Sequence, residues 1–448
     1  MTSWALWDWG SAAFNAVVTT FVFTRWLTSS DFVDPDTVSA AAAEGDAGGV
    51  ATTLLDAAVS QHSAWLGWGL TAAGLLIAIL APVAGARSDD QGRRKRWLGV
   101  HTAITVLITA SMFLVTPDPE NLTQNLLLGI FLLSAGNIFF ELASVNYNAT
   151  LSQVSNAANV GRISGIGWGA GYLGGIVLLL ILFVGFIDPE VGWFGVTGEN
   201  GLDIRVSVLT AAIWFAVFAI PVFIAIPEVP PAPGRARLGF LASYRRLFQD
   251  VAELWRTGRD TLRFLLASAV FRDGLAGVFT FGAVIASGTF GFSAGGVIIF
   301  AIAANIVAGV ATIIAGYLDD RVGPKAIIVT SLVGLIVAGT MVFVLHDGGQ
   351  TVFWVFGLLL SLFVGPAQSS SRTLLARMIP AGRESEIFGL YATTGRAASF
   401  LAPLAFSTFI AVSGSQHWGI LGIMLVLGLG LALLLPVRTG RAPVTLSS

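Results

Sequence analysis

The chain has 448 residues, 55% hydrophobic and only 11% charged, with a formal net charge of −2 and a strongly positive mean hydropathy. Soluble globular chains carry roughly 25% charged residues, so the composition excludes a soluble enzyme and points to a polytopic membrane protein. There is no cysteine, no metal-ligand spacing among His62, His101, His346 and His417, and no basic stripe; disulfides, thiolate catalysis, a metal site and a nucleic-acid partner are not expected.

Apolar runs long enough to cross a bilayer, about 20 residues each, predict twelve spans: 4–27, 64–85, 97–116, 124–150, 163–187, 204–226, 262–287, 294–317, 326–345, 351–374, 386–412 and 417–436. The first run lacks a basic n-region and has the length of a span, so it reads as a helix and not a cleavable signal. Its opening, WALWDWGSAAFN, places Asp8 among tryptophans, which suggests an interfacial aromatic belt. The 28–63 loop is acidic, with Asp31, Asp34, Asp36, Glu44, Asp46 and Asp56.

Basic residues follow the second, sixth, eighth and tenth spans; Arg93, Arg94, Lys95, Arg245, Arg246, Arg321, Lys325 and Arg377 are among them. The loops after the first, third, seventh, ninth and eleventh spans carry none, and Arg205 sits at the edge of the one after the fifth. The positive-inside rule then places both termini in the cytoplasm. The connection 227–261 opens on prolines and continues with apolar residues at helical spacing between arginines, the pattern of an amphipathic helix on the inner membrane surface. The expected organisation is a six-helix bundle at 1–226, this linker at 227–261, a second bundle at 262–437 and a tail at 438–448.

The two halves repeat. GARSDDQGRRK (Gly85, Asp89, Gly92, Arg93, Arg94) matches GYLDDRVGPK (Gly316, Asp320, Arg321, Gly323, Lys325). Gly165 and Gly171 match Gly389 and Gly395 entering the fifth span of each half. WDWGSAAF and FRDGLAGVF open the halves, with Asp8 set against Asp273. Six and six spans in one orientation form a parallel repeat about an axis along the membrane normal.

These motifs resemble the major facilitator superfamily; the glycine–aspartate pattern is similar to its loop 2–3 motif, with Asp90 where a basic residue is common. WALWDWGSAAFN, residues 146–175 and residues 365–403 together resemble the vacuole-effluxer-like branch, which includes the fungal autophagy-related amino-acid effluxer and bacterial relatives. The resemblance implies an all-α permease of two pseudo-symmetric six-helix bundles, without a resident cofactor. It also implies that the first, fourth, seventh and tenth spans line a central cavity. Those spans carry Asp8, Ser11 and Asn15; Ser134, Asn137, Glu141, Ser144 and Asn148; Arg272 and Asp273; and Gln368, Ser371 and Arg372. The steps within the first two sets place each on one helix face, and such a face cannot look at lipid. At about 1.5 Å per residue, Glu141, Arg272 and Asp273 reach the midplane, and a Glu141–Arg272 pair broken by protonation is expected. Asp8, nearer a membrane face, reads as an inner gate or proton relay. Arg396 pairs structurally or meets an anionic substrate; His101, Trp168 and Tyr172 read as packing residues. The loop motif reads as gating or structural, not as a substrate site, with Asp89 capping or pairing to a neighbouring helix end.

The expected function is secondary active transport of a small polar solute, such as an amino acid, by alternating access. H⁺ is the expected coupling ion, and a monomer in a bacterial plasma membrane the expected setting. No P-loop suggests ATP drive. A drug exporter is the rival within transport; a receptor or membrane enzyme is the rival outside it.

Overall fold

The computed structural model describes residues 2–44, 49–91, 94–150, 154, 160–226, 240–378 and 384–438. Sixteen helices carry the fold among these residues: α1 (Thr2–Ala13), α2 (Phe23–Leu27), α3 (Pro35–Glu44), α4 (Val50–Gln91), α5 (Arg94–Ser111), α6 (Leu122–Ala149), α7 (Val160–Leu182), α8 (Leu202–Ala225), α9 (Phe240–Thr257), α10 (Arg259–Gly288), α11 (Ala294–Val322), α12 (Pro324–Val344), α13 (Gly349–Met378), α14 (Glu384–Ala397), α15 (Leu401–Ser413) and α16 (Trp418–Leu434). Ten helical stretches among the described residues are long and apolar enough to cross a membrane, and α16 is a shorter apolar helix.

The first expected span is not one regular helix. After α1 the backbone runs as a π-helix over Phe14–Phe21, breaks at Val22, and resumes as α2. The β-branched run Val17-Val18-Thr19-Thr20 weakens α-helical preference here, and the Thr24 hydroxyl donates to the Val18 carbonyl at 2.7 Å.

The second expected span begins earlier than hydropathy suggests, at Val50. The Glu44 carboxylate caps the start of α4, accepting from the Ala51 N–H at 3.0 Å and the Thr52 N–H at 2.8 Å. Those bonds, that of Thr52 foremost, hold this carboxyl below its usual range. Hydropathy missed the extension because helix geometry there comes from a cap and not from apolar content.

The eleventh span is also discontinuous, with a turn at 398–400 between α14 and α15. Pro403 lies in the first turn of α15, where its missing N–H is tolerated. A continuous helix would set its ring against the Ser399 carbonyl, four residues back.

Helices α1 and α5–α8 pack mainly with one another, as do α10–α16, while α4 packs on both sets. The two sets meet where α4 crosses α14 and α15, where the π-helix touches α10, and where α7 meets α11. At the first crossing a Cβ on Gly67 would collide with the Ser407 hydroxyl, and one on Gly74 would lie 2.9 Å from the Phe400 backbone nitrogen. Gln416, buried at this end, donates to the Ser63 hydroxyl at 2.6 Å and accepts from Thr289 at 3.2 Å, linking both sets. The 227–261 connection contains α9, with Leu254 buried and Phe248 and Trp255 exposed; residues 227–239 lie outside the described residues.

Candidate functional site

The site starts from how α1 is held. Trp4 and Trp7, one turn apart, clamp the Tyr147 ring of α6, at centroid distances of 4.6 and 4.1 Å. Both indoles are buried, and their N–H groups donate to the hydroxyls of Thr150 and Thr102. The interfacial-belt expectation is thus corrected for these two residues: they anchor α1 to α6 and α5, since each indole N–H finds an acceptor on a neighbouring element.

On the other side α1 lies on the glycine stripe of α7. A Cβ at Gly167 would strike the Asp8 carboxylate and the Trp4 ring, and one at Gly174 would strike the Trp9 backbone. Small residues at such spacing let helix backbones approach closely. Gly171 lies beside the Asp8 backbone, with its Cβ position 3.5 Å from the Asp8 carbonyl oxygen.

Clamp and stripe together aim Asp8. Its Oδ2 lies 2.8 Å from Tyr147 Oη, which also lies 3.0 Å from the Trp4 carbonyl oxygen. Arg372 of α13 is within electrostatic reach of Asp8, and also of Tyr172, Arg272 and Tyr391. Tyr172, 40% exposed, lies on the same α7 glycine stripe and within electrostatic reach of Arg372.

The second half repeats the arrangement with opposite charge. The Arg272 guanidinium stacks 4.1 Å above the Tyr391 ring of α14 and donates to the Tyr391 carbonyl at 3.2 Å. A Cβ on Gly395 would lie 2.8 Å from the Arg272 Nη1. Gly10 packs on Phe215 and Phe218 of α8, as Gly274 packs on Leu427 of α16. Trp7 and Phe271, three residues before these glycines, are both buried. The structural register therefore sets Asp8 against Arg272, and the expected Asp8–Asp273 match is corrected by one residue. Matching identical aspartates misled because the repeated feature is a position and not a charge.

Asp273 points away from its neighbour Arg272. It is 6% exposed, and its Oδ2 accepts from the Ala402 N–H at 2.5 Å. It caps α15 across the chain, filling the orphaned helix start left by the 398–400 break. This corrects its placement in an Arg272–Asp273 cavity pair.

Glu141 also takes a different partner from the one expected. It forms an ion pair with Arg396 of α14, not with Arg272. Arg396 further donates to the Glu141 carbonyl at 3.1 Å and reaches Ser144 Oγ at 3.4 Å. The side chains of Arg396 and Glu141 are 17% and 30% exposed, so the pair lies between the two helix sets and is largely withdrawn from water. The sequence placed Glu141 and Arg272 at one depth, but Arg272 rotates onto Tyr391 while Arg396 projects across to α6.

The remaining candidates divide. The Ser11 hydroxyl donates to the Asp8 carbonyl, so its side chain serves the helix itself. Asn15 and Asn148 are exposed, and Asn137 and Gln368 are half-buried. Ser371 is buried, its hydroxyl 2.7 Å from Tyr391 Oη. His101 is buried beside Asn146, with 3.4 Å between Nδ1 and Nδ2. Tyr147 and Tyr391 were missed as site residues. The available signal was scarcity: the chain has five tyrosines, and Tyr147, Tyr172 and Tyr391 all lie in this cluster.

In the loop motifs, Gly85 and Asp89 fall within α4 and Arg94 begins α5. Gly92 and Arg93 lie outside the described residues, as do the side chains of Asp89, Arg94 and Asp320. The second copy is described further. Gly323 has φ +85°, a left-handed conformation that favours glycine, and joins α11 to α12. Lys325 donates to the Leu435 and Val437 carbonyls at 2.8 and 2.6 Å, closing the end of α16. Asp319, adjacent to the expected Asp320, is buried and accepts from Ser370 of α13 at 2.7 Å. Gly316 and Arg321 are exposed.

Known proteins share this chain's features. The profile of the family described as vacuole effluxer Atg22 like matches residues 1–446. An uncharacterized MFS-type transporter of Bacillus subtilis, YxiO, is 24% identical over 96% of this chain and 93% of that protein. Autophagy-related protein 22 of Cryptococcus neoformans is 24% identical over 64% of this chain, which spans about half (51%) of that longer protein. Among solved structures, a D-xylose-proton symporter superposes with a TM-score of 0.65 at 13% identity, covering 96% of each chain. The nucleoside transporter NupG superposes with a TM-score of 0.57 at 14% identity, over 97% of this chain and 98% of that one. The all-helical membrane architecture is thus that of major facilitator transporters, and the chain belongs to the vacuole effluxer Atg22-like family.

Proposed function

We propose that the protein is a secondary active transporter of a small polar solute, working by alternating access in the plasma membrane with protons as the coupling ion. The observation that carries this reading is the Glu141–Arg396 ion pair, formed between α6 of one helix set and α14 of the other. An ion pair withdrawn from water is held only while its partners face each other; separation exposes each to water or to a solute that replaces it. The segments 1–226 and 262–437 would rock about this centre, joined by 227–261. Contacts between Gln416, Ser63 and Thr289 would close the end opposite the termini.

The solute class follows from the walls. Acidic Asp8 and Glu141 and basic Arg272, Arg372 and Arg396 lie with tyrosines and serines from both halves. An amphoteric metabolite such as an amino acid complements both signs; a large apolar drug does not. Counterflow in liposomes with a panel of labelled amino acids, sugars and nucleosides tests the reading. Uptake of one class, abolished in Arg396→Met, is expected. No counterflow of any panel member, with dye extrusion instead, would replace the reading by drug export.

A further inference from the structure

The Asp8 corner holds a hydrogen-bond count that the transport reading does not use. Tyr147 Oη carries one proton and has two oxygen neighbours, Asp8 Oδ2 at 2.8 Å and the Trp4 carbonyl at 3.0 Å. With Asp8 ionised, both neighbours are acceptors and only one can receive that proton fully. With Asp8 protonated the chain completes: the carboxyl O–H donates to Oη, and the phenol O–H donates to the Trp4 carbonyl. The clamp of Trp4 and Trp7 fixes the phenol, so it cannot turn away to relieve the mismatch. The Gly167 position lies directly against the carboxylate, leaving room for Asp8 but none for a competing side chain from α7.

We propose that Asp8 is the proton-loading group, and that its proton decides which half of the molecule it holds. Protonated, Asp8 completes the hydrogen-bond chain to Tyr147 on α6, within its own half. Ionised, it is drawn to Arg372 on α13, across the cleft. The groups facing it are Tyr147 from α6 and Arg372 from α13; Tyr172 of α7, Arg272 of α10 and Tyr391 of α14 surround Arg372. The proton comes from and returns to bulk water on the two sides of the membrane; no redox partner or covalent step is needed. Glu141 is then the inter-half latch and not the proton carrier, because its carboxylate is already matched to Arg396.

This inference rests on the transport reading but is tested without any solute. Infrared difference spectra of the purified full chain in detergent, recorded through a pH titration, report the carbonyl stretch of a protonated carboxyl. A band lost in Asp8→Asn, moved in frequency in Tyr147→Phe and retained in Glu141→Gln is the expected result. Arg372→Gln is expected to change the pH at which the band disappears. A band that survives Asp8→Asn intact, or is indifferent to Tyr147→Phe, overturns the proposal; an Arg372→Gln titration that matches the parent overturns the swap between halves. If Asp8→Asn does not fold, the Tyr147→Phe frequency decides. An Asp8-dependent band in a protein that shows neither counterflow nor dye extrusion keeps the proton site and overturns the transport reading alone.

Discussion

Glu141 and Arg396 show what one residue pair contributes. Removing a single partner leaves a charge largely withdrawn from water, whereas removing both leaves no orphan. A double-mutant cycle of Glu141→Gln and Arg396→Met, read as melting in detergent, should return a favourable coupling of about 1–3 kcal/mol. Asp273 acts differently, through backbone. Asp273→Ala should lower stability by about 1–2 kcal/mol, the usual cost of losing an N-cap, and Asp273→Asn by less, because its carbonyl oxygen still accepts. At the loop between α15 and α16, His417 stacks on His346 with centroids 4.1 Å apart. Burial, then the neighbouring His346, holds the His417 pKa below its usual 6.5. The folded state thus favours the neutral ring. Its contribution is full above about pH 6.5 and is lost as pH falls from that unfolded value through the folded one. His417→Gln should flatten the fall in melting temperature between about pH 7 and pH 5.

Helix irregularities do the positioning at the next scale. The π-helix and break at Phe14–Val22 follow Asp8, and the 398–400 break follows Arg396, so each of these charges precedes an interruption. Discontinuous helices at membrane depth require their freed backbone groups to be satisfied by protein. Asp273 does this for α15. Helix α4 presses its glycines onto the same break, and backbone cannot yield as a side chain can. Gly74→Leu should therefore push α4 from Phe400, costing about 1–3 kcal/mol as overpacking does, with a matching loss of counterflow.

For the whole molecule, the proposed alternating access would separate the α4 crossing with α14 and α15 once per cycle. The Cβ position of Gly67 lies 3.2 Å from Ser407 Cβ, near the span a disulfide needs. The chain has no cysteine of its own, so Gly67→Cys with Ser407→Cys forms a clean pair. Oxidation should abolish counterflow and reduction should restore it. Full activity in the cross-linked form would show that this crossing never opens.

The amino-acid sequence by itself determined the membrane class, the helical architecture, the internal repeat and the charges that cannot face lipid. Hydropathy and spacing are local properties, and each of these conclusions needs only local information. It did not determine partners. Depth along a helix follows from residue counting, but which neighbour a side chain meets depends on the rotation of each helix and on residues hundreds of positions away. That is why Glu141 met Arg396 and not Arg272, why Asp273 became a cap, and why Trp4 and Trp7 were buried against Tyr147. The one-residue register change that sets Asp8 opposite Arg272 came from the same source. Packing glycines fix the phase of each helix, and only the assembled bundle shows which glycines touch.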